Sequence, residues 1–220
     1  MSEKKLSLKE TAAQCIFPRL DVELYYKDPA EQARIKELVQ EGAGGFCVFN
    51  GNKKMVSRAV SELQELAEIP LLFAADFENG LPMRLADGTS FAHAMALGKT
   101  DLETVYQTAK AIAKEAKQIG IMWNLAPVCD VNSNPDNPII NIRAFGEDSE
   151  TVSKFSEAYI KGAQDENILA CAKHFPGHGD TDIDSHLSMP VLKHSADKIR
   201  SVDLVPFKNA SRNGVMSIMT

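Results

Sequence analysis

Leu71-Leu72-Phe73-Ala74-Ala75-Asp76-Phe77-Glu78 is the stretch that sorts this chain into a fold class. Its apolar residues run on without alternation, as they do in a strand covered on both faces; a sheet with one wet face alternates apolar with polar. Two carboxylates, Asp76 and Glu78, then follow at once. A chain that leaves a buried strand directly into ionisable groups sets chemistry at the strand's carboxyl end, which is where parallel α/β folds build their sites.

The pattern repeats on both sides of this stretch. Cys15 to Leu20, Gly45 to Phe49, Met122 to Ala126, Ile168 to Ala172 and Val215 to Met219 are further strand candidates. Asn124 and Asp130 come with the fourth, and Lys173 and His174 follow the fifth. Helical stripes lie between them: Ile35, Leu38 and Val39; Val56, Val60, Leu63 and Ala67; Leu102, Val105, Ala109, Ile112, Ala113 and Ala116; Val152, Phe155 and Tyr159. Each stripe recurs at the three-to-four spacing that lets a helix cover a sheet. Gly42, Gly44 and Gly45 end one helix before a strand, and Asp148 or Ser149 is available to cap another.

An alternating β/α chain suits either an open doubly wound sheet or a (β/α)8 barrel. Dinucleotide-binding sheets place a glycine-rich phosphate turn after the first strand, but here that strand leads into Pro18-Arg19-Leu20-Asp21 and no GxGxxG follows. With ionisable residues after several successive strands, the barrel is the expected fold, in one domain without a linker or repeat.

Composition narrows the partners. The 220 residues are 44% hydrophobic and 25% charged, with 24 Lys plus Arg against 30 Asp plus Glu and a formal net charge of -6. There is no long basic run, so nucleic acid is not an expected partner. Met1 to Lys9 is polar, and no apolar stretch approaches the roughly 20 residues a membrane span needs. A cytoplasmic location without membrane contact is the expectation. Cys15, Cys47, Cys129 and Cys171 form no CxxC pair and mostly lie in strand-like runs, as reduced, buried thiols do.

Ionisable groups are densest in Lys173-His174-Phe175-Pro176-Gly177-His178-Gly179-Asp180-Thr181-Asp182-Ile183-Asp184-Ser185-His186. A helix presenting His174 and His178 to a metal is disfavoured by Pro176 and Gly177 between them, and neither a metal nor another cofactor is expected. His178 and Asp182 read as turn formers in a solvated loop. Asp184 and His186, two apart in an extended or turning segment, can set a carboxylate against an imidazole, orienting the ring and favouring its protonated form. Such a histidine can give a proton to a leaving oxygen and later take one from water.

Three blocks carry a family resemblance. Lys173 to His186 resembles the KHFPGHGDT-x-x-DSH loop of glycoside hydrolase family 3, in its bacterial β-N-acetylglucosaminidase branch. Trp123 to Asn132 with Pro138, Arg143 and Phe145 to Asp148 is similar to the same family's NLAPV-x-DV…NP…R-x-FGED stretch. Asp76-Phe77-Glu78-Asn79-Gly80 with Arg84 resembles its D-x-E-G-G segment and following arginine, although Asn79 stands where that segment has glycine. Together the blocks span about two-thirds of the chain.

The resemblance implies a (β/α)8 barrel that binds a small carbohydrate through Asp76, Arg84, Arg143, Lys173 and His174. It implies a retaining mechanism through a covalent glycosyl-enzyme, with His186, assisted by Asp184, as the acid/base, and a β-linked N-acetylglucosaminyl sugar of cell-wall turnover as substrate. The nucleophilic aspartate of the family follows a later strand and has no counterpart here. Six strand candidates against the expected eight make residues 1–220 the N-terminal and central part of one catalytic barrel, truncated after about the sixth strand and requiring its C-terminal part for activity. Phosphorolysis through the same intermediate, β-glucosidase specificity and a non-catalytic sugar-binding barrel are the alternatives. Asp76 as a turn cap, Arg143 paired with Glu147 or Asp148, and Lys173 with His174 as a rim pair are the purely structural readings. Asp130 and Trp123 are expected to be scaffold.

Overall fold

A computed structural model describes residues 6–180 and 195–220. Its strands are β1 (Arg19–Asp21), β2 (Gly45–Asn50), β3 (Leu72–Ala75), β4 (Trp123–Asn124), β5 (Leu169–Ala172) and β6 (Ser217–Ile218). All pair in parallel and in simple chain order, β1 to β6, in one six-stranded sheet. A doubly wound sheet reverses its order at a switch point; unreversed order is that of a (β/α)8 barrel.

Helices fill every crossover. α1 (Leu8–Ala13) precedes β1; α2 (Val22–Lys27) and α3 (Pro29–Gln40) lead to β2; α4 (Lys53–Leu66) leads to β3; α5 (Ala94–Leu97) and α6 (Leu102–Gln118) lead to β4. α7 (Ser149–Gln164) precedes β5, and α8 (Ala196–Lys198), a π-helical turn at Ile199–Asp203 and α9 (Leu204–Arg212) precede β6. Helix starts are fixed by side chains accepting from backbone N–H groups that a helix leaves unpaired, among them Asp21 from Leu24, Asn52 from Met55, Asp101 from Thr104 and Asp148 from Thr151. Asp148, rather than Ser149, is therefore the cap of α7.

The apolar stripes mostly face inward as their spacing requires, although Leu102, at the start of α6, is exposed. Val56, Ala59, Val60 and Leu63 of α4 are buried, as are Val105, Ala109, Ile112, Ala113 and Ala116 of α6 and Val152, Tyr159, Ile160 and Ala163 of α7. Full burial of a side chain such as Ile112, at 0% exposure, contributes about 2 kcal/mol. Among the described residues no helix is long and apolar enough to cross a membrane.

Strand ends depart from the expected ones for identifiable reasons. The first strand begins at Arg19, not Cys15: Cys15 and Ile16 turn out of α1, their N–H groups donating to the carbonyls of Ala12 and Ala13, and Ile16 is exposed. The fourth is limited to Trp123–Asn124, because Ala126 donates locally to the Asn124 carbonyl and Pro127 has no N–H to offer a ladder. Cys129 and Cys171 are buried free thiols, whereas Cys15 is exposed and Cys47 half-buried.

Candidate functional site

The loops leaving β3, β4 and β5 meet at the carboxyl end of the sheet. Asp76, the first residue after β3, accepts from Lys173 Nζ at 2.7 Å through Oδ1, and its Oδ2 pairs with Arg84. Glu78, two residues on, holds Arg143 by two parallel bonds, Nε to Oε2 at 2.9 Å and Nη2 to Oε1 at 2.7 Å. Its Oε1 also lies 2.7 Å from Lys173 Nζ. Lys173, with its side chain 2% exposed, is thus shared by two carboxylates. Two carboxylates and three cations form one chain of contacts from Arg84 to Arg143.

Burial alone would push both carboxyls up. The Lys173 ammonium, joined by Arg84, overcomes that and holds Asp76 below the usual carboxylate range. Arg143 and Lys173 do the same for Glu78. Burial would in turn lower Arg143, and Glu78 more than offsets it, so the guanidinium stays charged. A buried ammonium with only one counter-charge would be expensive; with two it is satisfied where it stands.

The backbone beneath these side chains is clamped. Asn124 accepts the Phe77 N–H at 3.0 Å and donates to the Phe77 carbonyl at 3.3 Å, while the Tyr159 hydroxyl donates to that carbonyl at 3.0 Å. The peptide between Asp76 and Glu78 therefore cannot rotate without breaking buried hydrogen bonds, which fixes the direction of both carboxylates. Arg84 is oriented a second time, lying over the Phe49 ring at 5.0 Å.

His174 follows Lys173 and belongs to a separate network. Asp130, at 0% exposure, lies 2.7 Å from His174 Nδ1 and accepts the backbone N–H groups of His174 at 3.2 Å and His178 at 2.7 Å. Asn137 ties the stretch between Trp123 and Asp148 to the loop after Lys173: it donates to the His178 carbonyl and accepts from the N–H groups of Ile139 and Ile140, just ahead of Arg143. The loop packs so closely that a Cβ at Gly179 would lie 1.8 Å from the Val131 carbonyl oxygen, leaving glycine as the residue that fits. His174 and His178 sit on a turn, with ring centroids 6.1 Å apart. Among the described residues no group of three or more His, Cys, Asp and Glu is arranged to hold a metal ion.

Of the expected sugar contacts, Asp76, Arg84, Arg143 and Lys173 are brought into one cluster, and His174 adjoins it through the chain. Arg143 pairs with Glu78 and not with Glu147 or Asp148. Asp76 is an ion-pair centre, not a turn cap. His186 and Asp184 lie outside the described residues, as does Asp182. Two residues outside the expected sugar contacts take part: Glu78, which holds Arg143, and Asp130, expected as scaffold, whose partners are groups of His174 and His178.

The family model described as "Glycosyl hydrolase family 3 N terminal domain" matches residues 8–220. This chain belongs to glycoside hydrolase family 3. Among relatives in that family, β-hexosaminidase A of Pseudoalteromonas piscicida is 39% identical over 74% of the chain, and the match covers 30% of the relative. A solved family 3 β-N-acetylglucosaminidase from Paenibacillus sp. str. FPU-7 superposes with TM-score 0.89 and 33% identity, over 98% of this chain and 42% of that one. A β-glucoside phosphorylase, BglX, superposes with TM-score 0.89 and 27% identity, over 98% and 38%. The chain thus spans between about a third and two-fifths of the length of these proteins.

Proposed function

We propose that these residues form the sugar-holding part of a retaining family 3 β-N-acetylglucosaminidase, within a single catalytic barrel of which residues 1–220 are the N-terminal and central part. The observation that carries the reading is the cluster around Lys173: an array of fixed donors and acceptors, Asp76 with Arg84, Arg143 and Lys173, at the end of the strands where barrel enzymes bind substrate. Vicinal hydroxyls of a pyranose need such an array, since each is both donor and acceptor. The name of the Paenibacillus protein, a β-N-acetylglucosaminidase, supports N-acetylglucosamine as the sugar, and that of the Pseudoalteromonas relative, a β-hexosaminidase, supports a hexosaminide.

In this reading His186, propped by Asp184, gives its proton to the glycosidic oxygen as the bond to the anomeric carbon breaks. A carboxylate beyond these residues attacks that carbon and forms the glycosyl-enzyme. The neutral imidazole then takes a proton from water, whose oxygen displaces the carboxylate and releases the sugar. The 220 residues alone should show no turnover of an aryl N-acetyl-β-glucosaminide, while the full-length protein should; turnover by the 220 residues would refute the division of labour.

Phosphorolysis is the second reading, supported by the likeness to the β-glucoside phosphorylase. A histidine acid/base is not an anion when it has lost its proton, so it does not repel incoming phosphate as a carboxylate would. Product analysis of the full-length protein with phosphate present decides: free N-acetylglucosamine supports hydrolysis, and the 1-phosphate overturns it.

A further inference from the structure

We infer that Asp130 is a positioning residue which holds His174 as the Nδ1–H tautomer, so that Nε2 is presented as a hydrogen-bond acceptor for a hydroxyl of the bound ligand. The inference deepens the sugar-binding reading above and rests on it only for the identity of the ligand.

The geometry carries it. A carboxylate has no proton to give, so at 2.7 Å from Asp130 Oδ2 the ring nitrogen Nδ1 of His174 must be the donor. Oδ1 is taken by the His178 N–H at 2.7 Å, and the His174 N–H reaches both oxygens at 3.2 Å. Three N–H groups from one short loop therefore converge on one carboxylate at 0% exposure. No Lys or Arg pairs with it among the described residues, unlike Asp76. With Nδ1 committed, the lone pair of a neutral ring lies at Nε2, on the far side of the imidazole, and the His174 side chain keeps 27% of its surface exposed.

This assigns the pocket a division that the cations alone do not have. Lys173, Arg84 and Arg143 are obligatory donors, so a ligand group facing them must accept. Asp76 and His174 Nε2 are acceptors, so a group facing them must donate. A ligand hydroxyl fits at His174, whereas an ether or fluoride at that position does not. Locking the tautomer in advance spares the ligand the cost of selecting it, which is the same logic by which second partners orient metal-bound or catalytic histidines.

The test is the nitrogen spectrum of histidine-labelled full-length protein at alkaline pH, where an imidazole is neutral and its tautomer can be read, with the His174 signals identified by their loss in His174→Gln. Protonated Nδ1 with unprotonated Nε2 is expected. The opposite tautomer, or a doubly protonated ring, overturns the inference. Asp130→Asn supplies the second arm: with Oδ1 kept for the His178 N–H, the new amide group faces Nδ1 and donates, so His174 should switch to Nε2–H. An unswitched ring in a folded Asp130→Asn protein overturns the inference as well, and if that variant fails to fold the wild-type spectrum still decides. In the same variant kcat/KM should fall roughly ten- to hundredfold, the usual effect of losing an orienting partner. The spectrum is read without ligand, so its outcome is separable from whether the protein turns over a glycoside.

Discussion

The loops after β3 and β4 each bring an aspartate to the same end of the sheet, Asp76 half-buried and Asp130 buried, and the two are satisfied in opposite ways. Asp76 meets long cationic side chains, Lys173 and Arg84, which can turn part of their donor capacity toward a ligand. Asp130 meets backbone and ring N–H groups of its own neighbourhood and is closed to solvent, so whatever it does passes through His174. Charge balanced by long cationic side chains leaves donors that a ligand could share. Charge balanced by fixed N–H groups makes a support.

Substitutions at the two centres can break this contrast. Lys173→Met should have the largest effect, since it removes the ammonium shared by Asp76 and Glu78 and leaves both short of a buried counter-charge; a loss of about 3 kcal/mol in urea unfolding is expected. A loss below about 1 kcal/mol would mean that water already reaches the cluster. Asp130→Ala should cost about 2 kcal/mol by stranding buried donors.

Glu78→Gln sharpens the comparison through pH. Asp76 and Glu78 sit below their ordinary values in the folded protein, so on acidification the unfolded chain takes up protons first. The stability they supply is complete above roughly pH 5 and is lost as pH falls through their folded values. Glu78→Gln should make that acid limb of the unfolding curve shallower and cost about 1 kcal/mol at neutral pH. An unchanged limb would place the titration elsewhere. Arg84→Lys should have the smallest effect on stability, about 0.5 kcal/mol, because it gives up the planar contact with Phe49 while keeping a charge beside Asp76.

The barrel order was legible because fully covered strands leave unbroken apolar runs, and because Asp76 and Lys173 stand immediately past two of them. Strand limits were less so, since Pro18 and Pro127 decide where ladders can form and a run of apolar residues does not register a missing N–H. α9 escaped notice for a related reason: Pro206 sits in its first turn, where a proline is tolerated though it looks like a helix breaker. Short α2, six residues long, offers too little periodicity to read.

In the site, Asp76, Arg84, Arg143, Lys173 and His174 are the contacts that the family resemblance implies. Glu78 is not among them, since its partner Arg143 is 65 residues away and only folding brings them together. Its position was still a usable signal: residues two apart in an extended segment share a side, so a carboxylate flanking Asp76 in this way faces the same centre. Asp130 is expected only as scaffold, since nothing local hints that its donors come from 44 and 48 residues later.

The sugar-holding role of the Lys173 cluster is tested most directly by calorimetric titration of N-acetylglucosamine into the full-length protein and its Asp76→Ala variant. Binding to the wild type, weakened about tenfold or more in the variant, is the expected result and corresponds to at least about 1.4 kcal/mol carried by that carboxylate. Equal affinity in the two proteins would contradict it.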